Sequence, residues 1–499
     1  MSRLAGWQEA PKLEKEDSKA ALPRMRTDLF SMAAIALVGL LVFLPGLRAG
    51  LVSEDFDFYR AARNTDLQQA LTAFIPTNHY WYRPFQDLGF WIEVHLFGLN
   101  PTAFHAVSLT GHVISAALLY RLARTLGSGP LAALIAGLVF VTTVHAHEVV
   151  WWWADLHYAF AGPLIVGSLV AWFSQRKAVA VVLAVAALMT DESAVLLLPV
   201  VMVGEFLTRG GSTTWSHRLL GPVQAAIPLM ILVALYFAFR IGVGGGIWGE
   251  AVPCRSPSCM AAGVVNYTAR LFVRPDRAYG IYESHKLMLT ALGAVAGAAV
   301  AVVIATRGRE RRVIGFGVAW TALTVVFFVL ALWPYASDRF MYYPDMGVAL
   351  AVGGCAQEAI YLLASENRPV RFVAPIAAVA TVLWVGAGIH MLEARAGGWV
   401  RAGNEAASIV TNVYAQVPNP PHDVLLQIDD VPDSSQPVFP PGNTGPYLFR
   451  NGLESAIRLK FGRDDIWVAW TGHAAEGVHA NVIHLRVNGD DSVTVAGGL

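Results

Sequence analysis

Leu-Phe-Ser-Met-Ala-Ala-Ile-Ala-Leu-Val-Gly-Leu-Leu-Val-Phe-Leu-Pro-Gly-Leu, residues 29–47, leads into Leu51-Val-Ser-Glu-Asp-Phe-Asp-Phe-Tyr-Arg60. The first stretch has no charge and, as a helix rising about 1.5 Å per residue, is long enough to cross a bilayer core of about 30 Å. Within a turn or two of its end come three carboxylates, Glu54, Asp55 and Asp57. Acidic groups beside lipid are costly unless they are solvated, paired or used. Their position points to chemistry at a membrane surface.

The same apolar character extends along the chain. Of 499 residues, 55% are hydrophobic and only 14% are charged, where a soluble protein carries about 25% charged residues. The expected fold class is an α-helical polytopic membrane protein. Further candidate spans fall at 101–124, 130–147, 155–173, 178–190, 193–208, 220–241, 286–306, 313–333, 342–364 and 372–391, about eleven transmembrane helices with the first. The 36 basic and 36 acidic side chains balance, which argues against a nucleic-acid partner. Residues 1–28 are charged, lack an apolar core, and read as a cytoplasmic tail rather than a signal peptide.

Basic residues mark alternate connections: Arg121 and Arg124, Arg176 and Lys177, Arg209 and Arg218, Arg307 to Arg312, and Arg368 and Arg371. The positive-inside rule makes that side cytoplasmic, together with the amino terminus. The opposite side receives 50–100, 145–155, 190–192, 241–285, 334–341 and everything after about 392. Between Ala178 and Phe206 the first apolar run is only ~18 Å long as a helix before Thr190-Asp-Glu192. This segment is either an interrupted helix or a short hairpin, and its carboxylates face an interior site.

Beyond residue 393, Pro and Gly become frequent and short β-like runs appear at Val424–Ile428, Ile466–Trp470 and Val482–Val487, with a helix at Asn451–Leu459. This predicts a small extracytoplasmic α+β domain over 393–499, following a transmembrane catalytic domain over 29–392. No 34-residue repeat or heptad pattern is present. Of three cysteines, Cys254 and Cys259 are spaced for a small disulfide loop. Cys355 lies in an apolar run and reads as packing.

Polar residues concentrate on the external side: Glu54, Asp55, Asp57, His79, Tyr82, Arg83, His145, His147, Glu148, Asp155, His157, Asp191, Glu192, Asp338 and Arg339. Several lie in ordered motifs: Tyr82-Arg-Pro-Phe85, Phe97-Gly-Leu-Asn-Pro-Thr-Ala-Phe-His105 with His112, His145-Ala-His-Glu-Val-Val-Trp-Trp-Trp-Ala-Asp155, Leu188-Met-Thr-Asp-Glu-Ser193 and Ser337-Asp-Arg-Phe-Met-Tyr-Tyr-Pro344. In this order the chain resembles GT-C-type membrane glycosyltransferases, notably protein O-mannosyltransferases and the transmembrane-and-TPR O-mannosyltransferases, over about residues 28–350. It departs from them in having Glu-Asp in the first loop, Asp191 where relatives carry Lys, and neither a TPR array nor a MIR-type domain. The missing array suggests a bacterial cytoplasmic membrane.

The resemblance implies transfer of a sugar from a polyprenyl-phosphate donor to a protein or glycolipid acceptor hydroxyl on the extracytoplasmic face, with inversion. Glu54 and Asp55 match the family's acidic pair, one acting as base and the other orienting it. Arg83 and Arg339 are candidate clamps for the leaving phosphate, with Arg270 and Arg274 behind them. Asp57, His147, Glu148, Asp155 and Glu192 are expected to line the substrate pocket. His-x-His-Glu at 145–148 lacks strong ligand geometry and the relatives need no metal, so neither metal nor cofactor is expected.

Plainer roles compete with these. Glu54 and Asp55 also fit a solvated helix cap, and Arg83 and Arg339 fit snorkelling anchors or structural ion pairs, Arg339 with Asp338. Trp151, Trp152 and Trp153 fit an interfacial aromatic belt better than a sugar platform. His105 and His112 fit buried hydrogen-bonding residues. Competing functions are a transporter or flippase of lipid-linked sugars, which would show inverted repeats that are not evident, and a non-catalytic membrane assembly subunit.

Overall fold

With no water in hydrocarbon to satisfy peptide groups, an apolar run must bond its backbone internally, and the chain folds mainly as helices. A computed structural model describes residues 17–75, 82–208, 215–242, 256–272, 310–332, 337–363, 373–435, 446–475 and 481–496. In chain order the helices are α1 (Asp17–Phe43), α2 (Asp55–Asn64), α3 (Leu67–Thr72), α4 (Pro84–Phe97), α5 (Pro101–Thr125), α6 (Pro130–Val141), α7 (Ala146–Trp151) and α8 (Leu156–Phe173). They continue as α9 (Lys177–Leu188), α10 (Leu197–Thr208), α11 (Trp215–Gly242), α12 (Pro257–Phe272), α13 (Arg311–Leu332), α14 (Tyr342–Leu363), α15 (Val373–Gln416) and α16 (Leu453–Phe461).

Starts are set by familiar signals. Asn100 accepts from the Ala103 amide at 3.2 Å ahead of Pro101, and Asp66 with Gln69 forms a capping box on α3. Five helices among the described residues are long and apolar enough to cross a membrane: Arg26–Arg48, Pro101–Thr125, Trp153–Phe173, Leu220–Gly242 and Arg311–Ala331. The expected span at 286–306 lies outside the described residues. The stretch expected as one span over 130–147 ends as a helix at Val141 and resumes as the separate α7. The weak segment Ala178 to Phe206 breaks into α9 and α10 around a turn that carries Asp191 and Glu192.

Helix α15 runs unbroken through the boundary expected near 392. Leu392, Ala396, Trp399, Ala402, Ala406, Ile409 and Val413 form a fully buried stripe along it at three- and four-residue spacing, which is reason enough for a helix to persist. Beside this stripe Gly403 crosses Gly50, so closely that a Cβ on Gly50 would stand 3.1 Å from the Gly403 Cα.

The C-terminal strands are β1 (Val424–Asp429), β2 (Ile466–Trp470), β3 (Asn481–Val487) and β4 (Val493–Val495), in the order β2-β1-β3-β4. β1 is parallel to both neighbours, pairing Val424 with Ile466 and with Asn481, and β4 closes antiparallel on β3. Val424, Leu426 and Ile428 alternate inward. They join a hydrophobic core continuous with that of the helices. Cys259 is disulfide-bonded, and its expected partner Cys254 lies outside the described residues. Cys355 is a free thiol.

Candidate active site

A cavity of about 390 Å³ opens where the ends of α2, α4, α8 and α11 meet the turns at 152–155, 191–193 and 337–341. Its wall gathers Glu54, Arg83, Asp155, Glu192 and Arg339, which lie far apart in sequence. Among the described residues, six buried polar atoms on that wall have no hydrogen-bond partner: Glu54 Oε2, Trp152 Nε1, Asp155 Oδ2, His157 Nδ1, Tyr236 OH and Arg339 Nη1. Buried polar atoms are nearly always satisfied, so a concave surface where several are not is the candidate site for a ligand.

The acidic run at the start of α2 divides into three roles. Glu54 faces the cavity, and its Oε1 accepts from Asn451 Nδ2 at 2.7 Å. Asp55, expected as its catalytic partner, points the other way into the core. There it accepts the Val52 amide at 3.1 Å and the Ala154 amide at 2.8 Å. Burial pushes its carboxyl well above the usual range, with those two amides pulling it back. Successive helical side chains diverge by about 100°, so neighbours in sequence need not share a surface. Asp57, expected in the pocket, lies against Ser455 of α16, and burial raises its carboxyl too.

Arg83 and Glu192 form a bidentate pair, Nε to Oε2 at 3.0 Å and Nη2 to Oε1 at 2.6 Å. Burial opposes the Glu192 charge, but the Arg83 guanidinium outweighs it and holds the carboxyl below the usual range. Asp191 sits behind, accepting from Tyr343 OH at 2.7 Å and the Ser193 amide at 2.7 Å. Burial, then the Glu192 charge, push Asp191 upward.

Arg339 is held from its backbone. Glu148 Oε2 accepts both the Arg339 amide at 3.0 Å and Ser337 Oγ at 2.6 Å. The guanidinium lies over the Trp152 ring, 4.8 Å from its centroid, with Asp155 Oδ1 and Glu148 Oε2 each at 3.7 Å. Glu148 thus fixes the turn rather than lining the pocket. His147, also expected in the pocket, is buried beside it. Its Nδ1 accepts from Trp399 Nε1 at 3.0 Å, which leaves the proton on Nε2, 3.0 Å from Asp338 Oδ2.

Asp338 pairs with His147, with Arg270 at 3.3 Å and with Arg395 at 3.7 Å, not with Arg339. Burial opposes its charge, and the His147 bond with the Arg395 charge keeps it below the usual carboxylate range. Arg270 is therefore a partner of Asp338, while Arg274 and His79 lie outside the described residues.

The tryptophans are not a belt. Trp151 and Trp153 are wholly buried, and Trp153 stacks on Phe104 and donates to Glu93 Oε2 at 2.9 Å. Only Trp152 lines the cavity. His105 bonds the Ala49 carbonyl, and His112 bonds Tyr342 OH and the Val141 carbonyl. Arg240, Tyr158 and Asp87 line the cavity without having been singled out. Arg240 ends an apolar helix, where a basic residue reads as an anchor. Among the described residues no group of three or more His, Cys, Asp or Glu is arranged to hold a metal ion.

No family model and no curated protein matches this sequence. Among solved structures, the chain is similar to ArnT from Cupriavidus metallidurans in the apo state, at 15% identity and TM-score 0.46 over 88% of this chain and 85% of that one. For the same protein bound to undecaprenyl phosphate the values are 13%, 0.42, 88% and 85%. It is also similar to the archaeal oligosaccharyltransferase AglB from Archaeoglobus fulgidus, in complex with an inhibitory peptide and a dolichol-phosphate, at 12% identity and TM-score 0.44 over 80% of this chain. The match spans 62% of that longer chain.

Proposed function

We propose that this protein is a membrane glycosyltransferase that moves a sugar from a polyprenyl-phosphate donor to an acceptor hydroxyl on the extracytoplasmic face, with inversion. The observation that carries the proposal is the cavity wall, where an acidic oxygen with no partner, Glu54 Oε2, shares one enclosure with Arg83, Arg240 and Arg339. The motif resemblance supplies the donor class. The external placement rests on the alternation of basic loops.

In this mechanism Glu54 is the base. The acceptor oxygen attacks the anomeric carbon and its proton passes to Glu54 Oε2. The bond between the anomeric carbon and the phosphate oxygen breaks, and the lipid phosphate leaves. Negative charge gathers on that phosphate, and a fixed guanidinium at Arg339 meets it without reorganising. Arg83 is already matched by Glu192, so it contributes shape and a shared charge rather than a bare cation. Asp155 and His157 complete the polar wall around the sugar.

The test is transfer from a panel of radiolabelled polyprenyl-phosphate sugars by the purified full chain, with a membrane extract of source cells lacking this chain as acceptor. Glu54→Gln should reduce kcat by about 10²–10⁴ while donor binding persists. Arg339→Ala should reduce kcat by about 10²-fold or more. A transporter would move the lipid-linked sugar across vesicles without forming a glycosidic bond. Full transfer by Glu54→Gln would remove Glu54 as the base.

A further inference from the structure

We infer that Asn451, in the C-terminal segment, is the positioning residue for Glu54, so that this segment acts on the cavity through a residue of its wall. The inference rests on Glu54 being the base. A carboxylate only accepts, so the Asn451 amide nitrogen must be the donor across the 2.7 Å contact. It occupies Oε1 and leaves Oε2 without a partner on the cavity wall. A glutamate has several rotatable bonds, and holding one oxygen selects the orientation that presents the other. A neutral amide does this without cancelling the charge, as Lys or Arg in the same place would. A base needs that charge.

The backbone around the pair is built to the same end. The Ser53 amide donates to the Leu448 carbonyl at 2.7 Å, and the Asn451 amide lies 3.4 Å from Ser53 Oγ. Gly452 has φ +83°, and a Cβ there would collide with the Ser53 carbonyl. Ser53 itself has φ +49° immediately before Glu54, a conformation that a side-chain-bearing residue keeps only when its surroundings impose it. Farther along α2, Phe56 stacks on Phe449 at 6.2 Å and Arg60 pairs with Asp464 at 2.6 Å. The C-terminal segment thus grips the helix that carries Glu54 at several points, and touches the reacting group through Asn451.

The experiment uses the full chain and whichever labelled polyprenyl-phosphate sugar wild type transfers. Asn451→Ala should lower kcat by roughly 10²-fold with donor KM changed by less than about twofold. Asn451→Leu, which is close in size but has no donor, should be at least as slow as Asn451→Ala. In the Glu54→Gln background, Asn451→Ala should cause no further loss, because the two act as one unit. Wild-type kcat in both Asn451 variants, or the same fold loss with Gln at 54 as with Glu, overturns the inference and leaves Glu54 untouched. Failure of both variants to fold makes Asn451 a structural residue and overturns it as well. Full activity of Glu54→Gln alone overturns the base assignment.

Discussion

Arg83 presents its Nε–Nη2 edge to both carboxylate oxygens of Glu192, in two hydrogen bonds of 3.0 and 2.6 Å on the wall of the cavity. Lys cannot reproduce that fork. Arg83→Lys should therefore lower transfer and stability together, the latter by roughly 1–3 kcal/mol, between exposed and fully buried pairs. The Glu192 carboxyl is held below its ordinary value of 4.5. Its contribution is thus present above that value and lost as pH falls through the lowered one. Unfolding midpoints of wild type and Glu192→Gln should converge as the buffer is acidified from pH 6 to well below 4.5.

Asp55 and Glu54 should separate by kind of defect. Asp55 takes two backbone amides, and Asn has one carbonyl oxygen to offer them. Asp55→Asn should lose about 1–3 kcal/mol of stability while folded protein retains most of its kcat. Glu54→Gln should do the reverse. Thermal unfolding and transfer rates on the two purified variants check both statements.

Glu93 is buried beside Trp153, and burial lifts its carboxyl from 4.5 to about 8 against the pull of the indole hydrogen bond. The folded state therefore binds a proton that the unfolded state releases between those values, and stability falls as pH rises from about 4.5 to 8. Glu93→Gln can still accept from the indole and cannot ionise. Its unfolding midpoint should lack that slope and exceed wild type at pH 8 and above.

Gly403→Ala should be strongly destabilising although alanine favours helices, because its Cβ would land on the Gly50 amide nitrogen. A loss of about 1–3 kcal/mol is expected from such overpacking. Gly386→Ala on the same helix, where a Cβ meets nothing, is the control and should be neutral or stabilising in the same melt.

Much of this was legible in the sequence, and the exceptions have causes. Apolar runs mark the five described helices long enough to cross a membrane, because such a run must satisfy its own backbone. β1, β2 and β3 fall where Val, Ile and Trp cluster. β4, three residues with two exposed, carries too little pattern to read. The end of α15 was invisible because Glu393 and Arg395 interrupt the apolar run, and Arg395 is buried on Asp338, a partner that only the folded chain supplies. At the site, residue types were readable but not their facing. Glu54, Arg83, Asp155, Glu192 and Arg339 come together in one cavity. Asp55, Asp57, His147 and Glu148 turn into the protein to hold the others in place.

The crossing of Gly50 and Gly403 has a consequence for biosynthesis. Residues 50–54 leave the ribosome before residue 403, whose backbone meets Gly50, and before Asn451, whose amide donates to Glu54. Until then the first loop has no partner for its left-handed Ser53. A chain that stops short of residues 403 and 451 therefore holds its acidic loop without either of these contacts.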